Sequence, residues 1–425
     1  MRMEEQSTLF PGEQQLIERA KSFQRKVEKI NDRIWFFAGF GGSNMTAVIG
    51  DDCCILIDAL NGKEVAEDAL AELRKITDKP IQTIIYTHTH FDHTSGAGVF
   101  VDEDAEIIGH SYKTQVYGHS DLLNAINQKR GKRQFGPTLT QEENVCVGIG
   151  IWNNPYSTRA LLHPNSFIDE DVYVIHRGGI EFQLIFSPGE TDDHMYVWMP
   201  EFGVMCCGDN YYASWPNLYA IRGSQYRDIN AWIESLNELL EYPIEVLIPG
   251  HTDVIYGKET IHETVTTYKD AIEYVLIETL KGINVGMTPD ELVEHVVLPE
   301  QYATLPYLQE YYGTVKWTVR AIFDGYLGWF DGNPTNLDRL TKPAYANRMI
   351  ALIGGVDKIL EEIDHQLERQ DYQWVAELCD ILLATEHCPK EVSLKKAQAL
   401  KGLGHMQLSA NARHYYLVCA KELSE

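Results

Sequence analysis

Apolar and polar positions along the chain follow two different rhythms. Between residues 32 and 60, short apolar runs alternate with glycine-rich breaks (IWFFAGFGGSNMTAVIGDDCCILIDAL), the pattern of a meandering antiparallel sheet. In residues 65–76, Val65, Ala66, Ala69, Leu70, Leu73 and Ile76 recur at helical spacing, and Pro80 closes the segment. Residues 81–86 form a compact apolar strand, followed at once by THTHFDH. The same logic returns three times. FQLIFS runs into Pro188–Gly189–Glu190, GVMCCG into Asp209, and IEVLIP into Gly250–His251. Between the last two, Ile229, Trp232, Ile233, Leu236, Leu239 and Leu240 form the buried stripe of an amphipathic helix. Four strand ends thus each deliver a His, Asp or Glu, and strand C-terminal ends are where α/β proteins build sites.

Residues 113–167 break the rhythm: they are polar, Gly- and Asn-rich and weakly periodic. Such an insertion is either a substrate loop or an excursion over the sheet. After residue 260 the periodicity becomes helical, and from residue 356 onward it suggests helix pairs loosely like tetratricopeptide units. The expected division is a sheet-bearing domain over 1–260 and a helical packing and assembly module over 261–425.

Composition narrows the function classes. In 425 residues, 36 basic side chains face 62 acidic ones, a net charge of −26. That field repels a nucleic-acid backbone, and no basic patch offsets it. No stretch approaches the roughly 18 continuous apolar residues of a membrane span, and the N-terminus lacks the apolar core of a secretory signal. The eight cysteines include the adjacent pairs Cys53–Cys54 and Cys206–Cys207, each inside an apolar run. Neighbouring strand residues point to opposite faces, which suits buried thiols and a reduced, cytoplasmic protein.

THTHFDH carries the chemistry. His88 and His90 alternate in an extended segment and can face one ion; Asp92 and His93 follow at the turn and can face a second. Three histidines and an aspartate within six positions are a ligand set more than a core pattern. Imidazole with carboxylate suits zinc, iron and manganese alike.

This pattern resembles the His-x-His-x-Asp-His motif of the metallo-β-lactamase superfamily, whose αβ/βα sandwich it implies. The superfamily's later ligands also find counterparts, in order, at Glu190, Asp209 and His251. Most members carry His after the Pro-Gly, so Glu190 departs from the pattern, and it departs toward the alkylsulfatases. SNMT (43–46), NLYAIRG (217–223), YRD (226–228), YYGTV (311–315) and YLGWFDGNPTNL (326–337) are similar to segments of that family. The resemblance spans roughly residues 30–425. It implies an α/β sandwich followed by an all-α dimerisation module, hence a homodimer. Many members carry a further lipid-carrier-like domain, and this chain stops after the helical module.

Carried over residue by residue, the resemblance implies one ion on His88, His90 and Glu190 and a second on Asp92, His93 and His251, with Asp209 bridging. Two divalent ions, zinc foremost, are expected. His194 is the rival of Glu190. Asp58 matches a supporting aspartate, unless it only ends its strand. Arg222 matches the family's arginine and would fork onto two oxygens of an anionic ester, unless a local acid claims it. Asn217 and Tyr219 are candidates for the same group. Asp92, Asp209, Arg222 and Tyr219 are the expected catalytic set. Trp152, Tyr156, Trp215 and Trp317 are candidates to line an alkyl channel.

Two departures matter. The family pattern has Glu at the bridging position and histidines near Pro216 and Trp317. Without them, Lys316, Tyr219 and His194 remain as donors for the leaving group. The expected function is therefore a two-metal hydrolase of alkyl sulfate esters. Hydrolysis of a phosphoester, thioester or lactone is the alternative, and a non-hydrolytic metal-binding protein stands behind it.

Overall fold

The computed structural model describes residues 10–101, 104–111, 120–151, 158–385, 387 and 389–425. They form two compact units: residues 19–123 with 146–326, and the described parts of 1–18 with 124–145 and 327–425.

The larger unit is a sandwich of two mixed sheets. The first holds β1 (Lys26–Lys29), β2 (Ile34–Ala38), β3 (Met45–Ile49), β4 (Cys54–Ile57), β5 (Ile81–Ile85), β6 (Glu106–His110) and β7 (Ser166–Ile168), side by side in chain order. Pairing is antiparallel from β1 to β4 and parallel from β4 to β7. The second holds β8 (Val172–Arg177), β9 (Ile180–Phe186), β10 (Met195–Met199), β11 (Val204–Gly208), β12 (Val246–Pro249) and β13 (Ile255–Tyr256). Only β11 and β12 run parallel there, because helix Ile229–Leu240 carries the chain back between them.

Strand alternation sorts the apolar residues into layers. Ile34, Phe36, Val48, Ile55 and Ile85 of the first sheet meet Phe182, Leu184, Val197, Val204 and Ile248 of the second in a core between the sheets. The opposite face of the first sheet (Phe37, Ala47, Leu56, Ile84) packs on helix Lys63–Leu73. The opposite face of the second packs on Ile229–Leu240 and Lys258–Asn284. This is the αβ/βα order. The cysteine pairs obey it: Cys53 and Cys206 point into the inter-sheet core, Cys54 and Cys207 away from it. Helix Ile229–Leu240 starts where Asp228 accepts hydrogen bonds from the N–H groups of Asn230 and Ala231. The helix that crosses residue 260, Lys258–Asn284, packs on the sandwich and belongs to the same compact unit.

The smaller unit is helical. Helices Lys342–Ile353, Val356–Glu368, Tyr372–Leu383, Pro389–Met406 and Ala410–Ser424 share a core of Ile359, Ile363, Val375, Cys379, Val392 and Leu400. Here the reading of 113–167 as irregular needs correction. Residues Asn124–Phe135 are a helix of this unit, although its sequence, NAINQKRGKRQF, shows almost no apolar stripe. Packing and ion pairing hold it: Arg133 bonds Glu422 of the last helix.

Arg413, 1% exposed, ties together distant parts of this unit. It donates to Glu13 Oε1 at 2.8 Å and to the Glu143 carbonyl at 3.0 Å. Burial opposes ionisation of Glu13, and the bonds from Arg413 and His405 outweigh it. Removing one partner of a buried pair leaves the other charge uncompensated, which costs about 3–5 kcal/mol. Arg413→Ala is expected to destabilise the helical unit by that amount in urea unfolding; a loss below about 1 kcal/mol would mean the pair behaves as a surface one.

Candidate metal centre

Four strand ends meet at one edge of the sandwich. After β5 the chain bends at Thr87–His88, where an unbroken extended segment was expected, and His90, itself extended, is the N-terminal cap of a helical turn, Phe91–Thr94, that carries Asp92 and His93. Glu190 follows β9, Asp209 follows β11, and His251 follows β12. One sheet thus contributes the histidine-rich stretch and the other contributes three single residues.

The seven side chains form two adjoining groups, His88–His90–Glu190–Asp209 and Asp92–His93–His251, in each of which the donor atoms lie within 4.8 Å of one another. In the first, His88 Nε2 and His90 Nδ1 are 3.1 Å apart, and His90 Nδ1 is 4.0 Å from Glu190 Oε1. In the second, His251 Nε2 is 3.4 Å and His93 Nε2 3.8 Å from Asp92 Oδ2. Asp209 Oδ2 stands between the groups, 3.1 Å from His251 Nε2, 3.3 Å from His93 Nε2 and 3.7 Å from His88 Nε2.

These residues fit a pair of metal ions. Three imidazoles have the nitrogen that points away from the centre already engaged. His88 Nδ1 meets Thr87 Oγ1 at 3.0 Å, His93 Nδ1 meets Asp58 Oδ2 at 2.8 Å, and His251 Nδ1 donates to the Gly42 carbonyl at 2.7 Å. That arrangement fixes ring orientation and aims each Nε2 at the centre. There His93 Nε2 and Asp209 Oδ1 are buried with no hydrogen-bond partner. Orphaned polar atoms of this kind are costly unless something else coordinates them.

The electrostatics call for positive charge at the same point. Burial holds His88 and His90 well below the ordinary imidazole range, with the further help of His93 beside the first and of Arg227 and Arg222 beside the second. Burial also opposes the cationic form of His93 and His251, but surrounding carboxylates outweigh it. Asp209, Asp58 and Asp92 raise His93, and Asp209 and Asp92 raise His251. Burial and Asp209 push Glu190 up against the pull of Arg227. In Asp209 burial works against ionisation, and His251, His93 and His88 overcome it.

Asp58 supports the centre. Besides His93, it accepts from the Thr87 backbone N–H at 2.8 Å, and it does so from a left-handed backbone, φ 61°. An aspartate kept in that sparsely populated region is held there by its surroundings. His194 sits elsewhere. Its Nε2 accepts from the Asp209 backbone N–H at 3.1 Å, its Nδ1 faces Ser187 Oγ at 3.2 Å, and it belongs to neither group.

Of the expected substrate residues, Arg222 is half-buried and lies in the field of Glu190 and Asp92. Asn217 is buried, with its Oδ1 unpaired, and Tyr219 is half-buried on the same loop. Trp215 is a core residue that donates to Thr318 Oγ1 at 3.1 Å, and Trp317 is half-buried. Trp152 and Tyr156 lie outside the described residues. Sequence reasoning missed Arg227, which bonds Glu190 Oε1 at 2.6 Å. Its only signal was its place in YRD. Tyr312, buried in the field of Glu190, Asp92 and both arginines, was quoted only as part of a motif.

Comparison with known proteins agrees with this geometry. Residues 38–251 match the family model of the metallo-beta-lactamase superfamily, and residues 288–425 match that of alkyl sulfatase dimerisation. The chain is 34% identical over 383 residues to a linear primary-alkylsulfatase of Pseudomonas sp. (strain ATCC 19151), covering 87% of this chain and 72% of that protein. The chain belongs to the alkylsulfatase family of the metallo-β-lactamase superfamily. The alkyl/aryl-sulfatase BDS1 of Saccharomyces cerevisiae is 30% identical over 410 residues, 93% of this chain and 64% of its own length. The structure of the stereoselective inverting sec-alkylsulfatase Pisa1 from Pseudomonas sp. superimposes with a TM-score of 0.89 at 27% identity, covering 96% of this chain and 67% of that one. Fold, donor groups and family together make this protein a metal-dependent hydrolase.

Close backbone approach at Gly250 is part of the site. A Cβ there would stand 2.1 Å from Asp209 Oδ1 and 2.8 Å from His93 Cε1. Gly250→Ala is expected to displace both side chains and lower the divalent metal bound per folded chain, read by elemental analysis beside far-UV circular dichroism. Unchanged stoichiometry would show that the centre tolerates the shift.

Proposed function

We propose that this protein hydrolyses alkyl sulfate esters and releases sulfate. The observation that carries the reading is the pair of adjoining donor groups at strand ends, in a chain whose curated relatives are alkylsulfatases. His88, His90 and Glu190 would hold one ion and Asp92, His93 and His251 a second, with Asp209 shared. The full occupation of both His194 ring nitrogens by other partners favours Glu190 as the ligand. Zinc is the metal proposed, because imidazole and carboxylate are its ordinary donors. Such ions supply Lewis acidity, both for a water nucleophile and for charge developing on the ester.

The chain's own residues do the rest. Asp209, between the groups, and Asp92, of the second group, orient the attacking water and accept its proton. Arg222 binds the anionic end, since a guanidinium fork matches two sulfate oxygens. Asn217 and Tyr219 add polar contacts. Of the three donors available to the leaving group, Lys316 is exposed and His194 is engaged, which favours Tyr219. A second reading keeps the centre and changes the ester to a phosphoester, thioester or lactone. It is favoured by the segments around Pro216 and Trp317, which lack the histidines of the alkylsulfatase pattern.

We also propose a homodimer formed through residues 261–425, supported by the dimerisation match over 288–425. A cytoplasmic location is proposed from the free thiols of the seven described cysteines. No helix among the described residues is long and apolar enough to cross a membrane.

Metal-quantified protein is expected to release sulfate from decyl or octan-2-yl sulfate, to lose that activity to a chelator, and to lose about 100-fold in kcat/KM on Arg222→Ala. Turnover of only a phosphoester, thioester or lactone in the same panel would overturn the sulfatase reading. Light scattering is expected to give twice the chain mass; the mass of one chain would remove the dimer.

A further inference from the structure

Arg227 is a buried cation in a stretch that is otherwise largely exposed. It is 7% exposed, whereas Gly223, Ser224, Tyr226 and Asp228 face solvent. A guanidinium is not buried without partners that repay its lost hydration, and both partners of this one are informative. One Nη1 donates to Glu190 Oε1 at 2.6 Å and also to the backbone carbonyl of Asn217. The second bond closes residues 217–227 into a loop whose end is clasped to its beginning. The first bond anchors the clasp to a carboxylate of the metal centre. Tyr219 and Arg222, the residues read as meeting the anionic ester, lie on this loop.

Glu190 is held from two sides. Its backbone N–H donates to Asn210 Oδ1 at 3.1 Å, while Arg227 bonds Oε1 of its side chain, the oxygen that lies 4.0 Å from His90 Nδ1. Asn217, at the start of the loop, is fixed in turn by its own N–H, which donates to the Tyr212 hydroxyl at 2.7 Å. A continuous chain of bonds therefore runs from the donor Glu190, through one guanidinium, to the backbone of the loop that carries Arg222.

We propose that Arg227 is a positioning residue that transmits the state of the metal centre to this loop. An ion on Glu190 fixes its carboxylate in one orientation, and the Arg227 bond copies that order to Asn217 and to residues 218–225. The loop that receives the anionic ester is thereby ordered when the centre is loaded. Arg227 meets the centre at Glu190 and the loop at the Asn217 carbonyl, and it acts through those two residues. This inference rests on the reading of Glu190 as a ligand.

The test is hydrogen–deuterium exchange read by mass spectrometry on the full chain, zinc-loaded and chelator-stripped, with helix Ile229–Leu240 as internal reference. In the wild type, stripping is expected to speed exchange of residues 218–225 about ten-fold or more and to leave the reference helix unchanged. In Arg227→Gln these residues should exchange fast whether or not zinc is present, and zinc affinity at one of two sites should fall about 10–100-fold. Arg227→Lys, which keeps the charge without the fork, should restore part of the zinc dependence. A merely structural clasp would give protection indifferent to zinc. That result, or an Arg227→Gln loop as protected as the wild type, overturns the proposal. Zinc titration of Glu190→Ala separates the two failures. Loss of one of two zinc ions supports Glu190 as a ligand and lets the coupling fail alone; retention of both removes the ligand reading and the coupling with it.

Discussion

Three carboxylates and four imidazoles converge at one edge of the sandwich, all buried but the half-buried His90 and Asp92, and that burial is the constraint on which the rest of the fold depends. Isolated buried carboxylates are prohibitively unfavourable unless paired or coordinated. Asp209, 2% exposed, is the sharpest case, since three imidazole nitrogens surround its Oδ2 within 3.7 Å. Such a cluster persists only if the backbone holds every member in place when its charges would push it apart. The sandwich does so by anchoring each donor at the end of a strand whose other residues are locked in an apolar layer.

Joining two sheets at one edge takes further bonds, and a segment with no chemistry of its own supplies them. Asn44 Nδ2 donates to the carbonyls of Pro249 and Thr252, 3.1 and 2.8 Å away, and its backbone N–H donates to the Gly250 carbonyl at 2.7 Å. Ser43 Oγ donates to the Asp92 carbonyl. The first sheet is thus stitched both to the turn that carries Asp92 and to the loop that carries His251. Gly208 and Gly250 allow the approach: any side chain at either would enter the space of His194 or Asp209.

What was legible in the sequence follows from this architecture. Apolar runs ending in His, Asp or Glu are local signals, and the four strands that lead into the seven donor residues could be read from them; β8 and β10, which lead into none, could not. Helix Ile229–Leu240 was equally plain, because its buried stripe repeats at helical spacing. Helix Asn124–Phe135 was not: its sequence is polar nearly all round, and its stability comes from partners such as Glu422, 289 residues away from Arg133. Nor was the role of Arg227. The carboxylate it bonds lies 37 residues earlier, and no spacing rule links an arginine before a helix to a glutamate after a strand.

The same bond bears on the departure at position 190. A neutral imidazole there would add no charge, whereas a glutamate brings a third carboxylate into a space that already holds Asp92 and Asp209. In a low-dielectric setting that added repulsion is large. Arg227 places a positive charge against it at 2.6 Å from inside the same loop that carries Arg222. The glutamate and its arginine are therefore best understood as one unit. The local charge returns to what an imidazole would give, and the carboxylate gains a rigid tether to the loop, which an imidazole with one nitrogen on a metal would offer only through its other N–H. The exchange of histidine for glutamate thus ties the metal centre to the loop that carries Arg222.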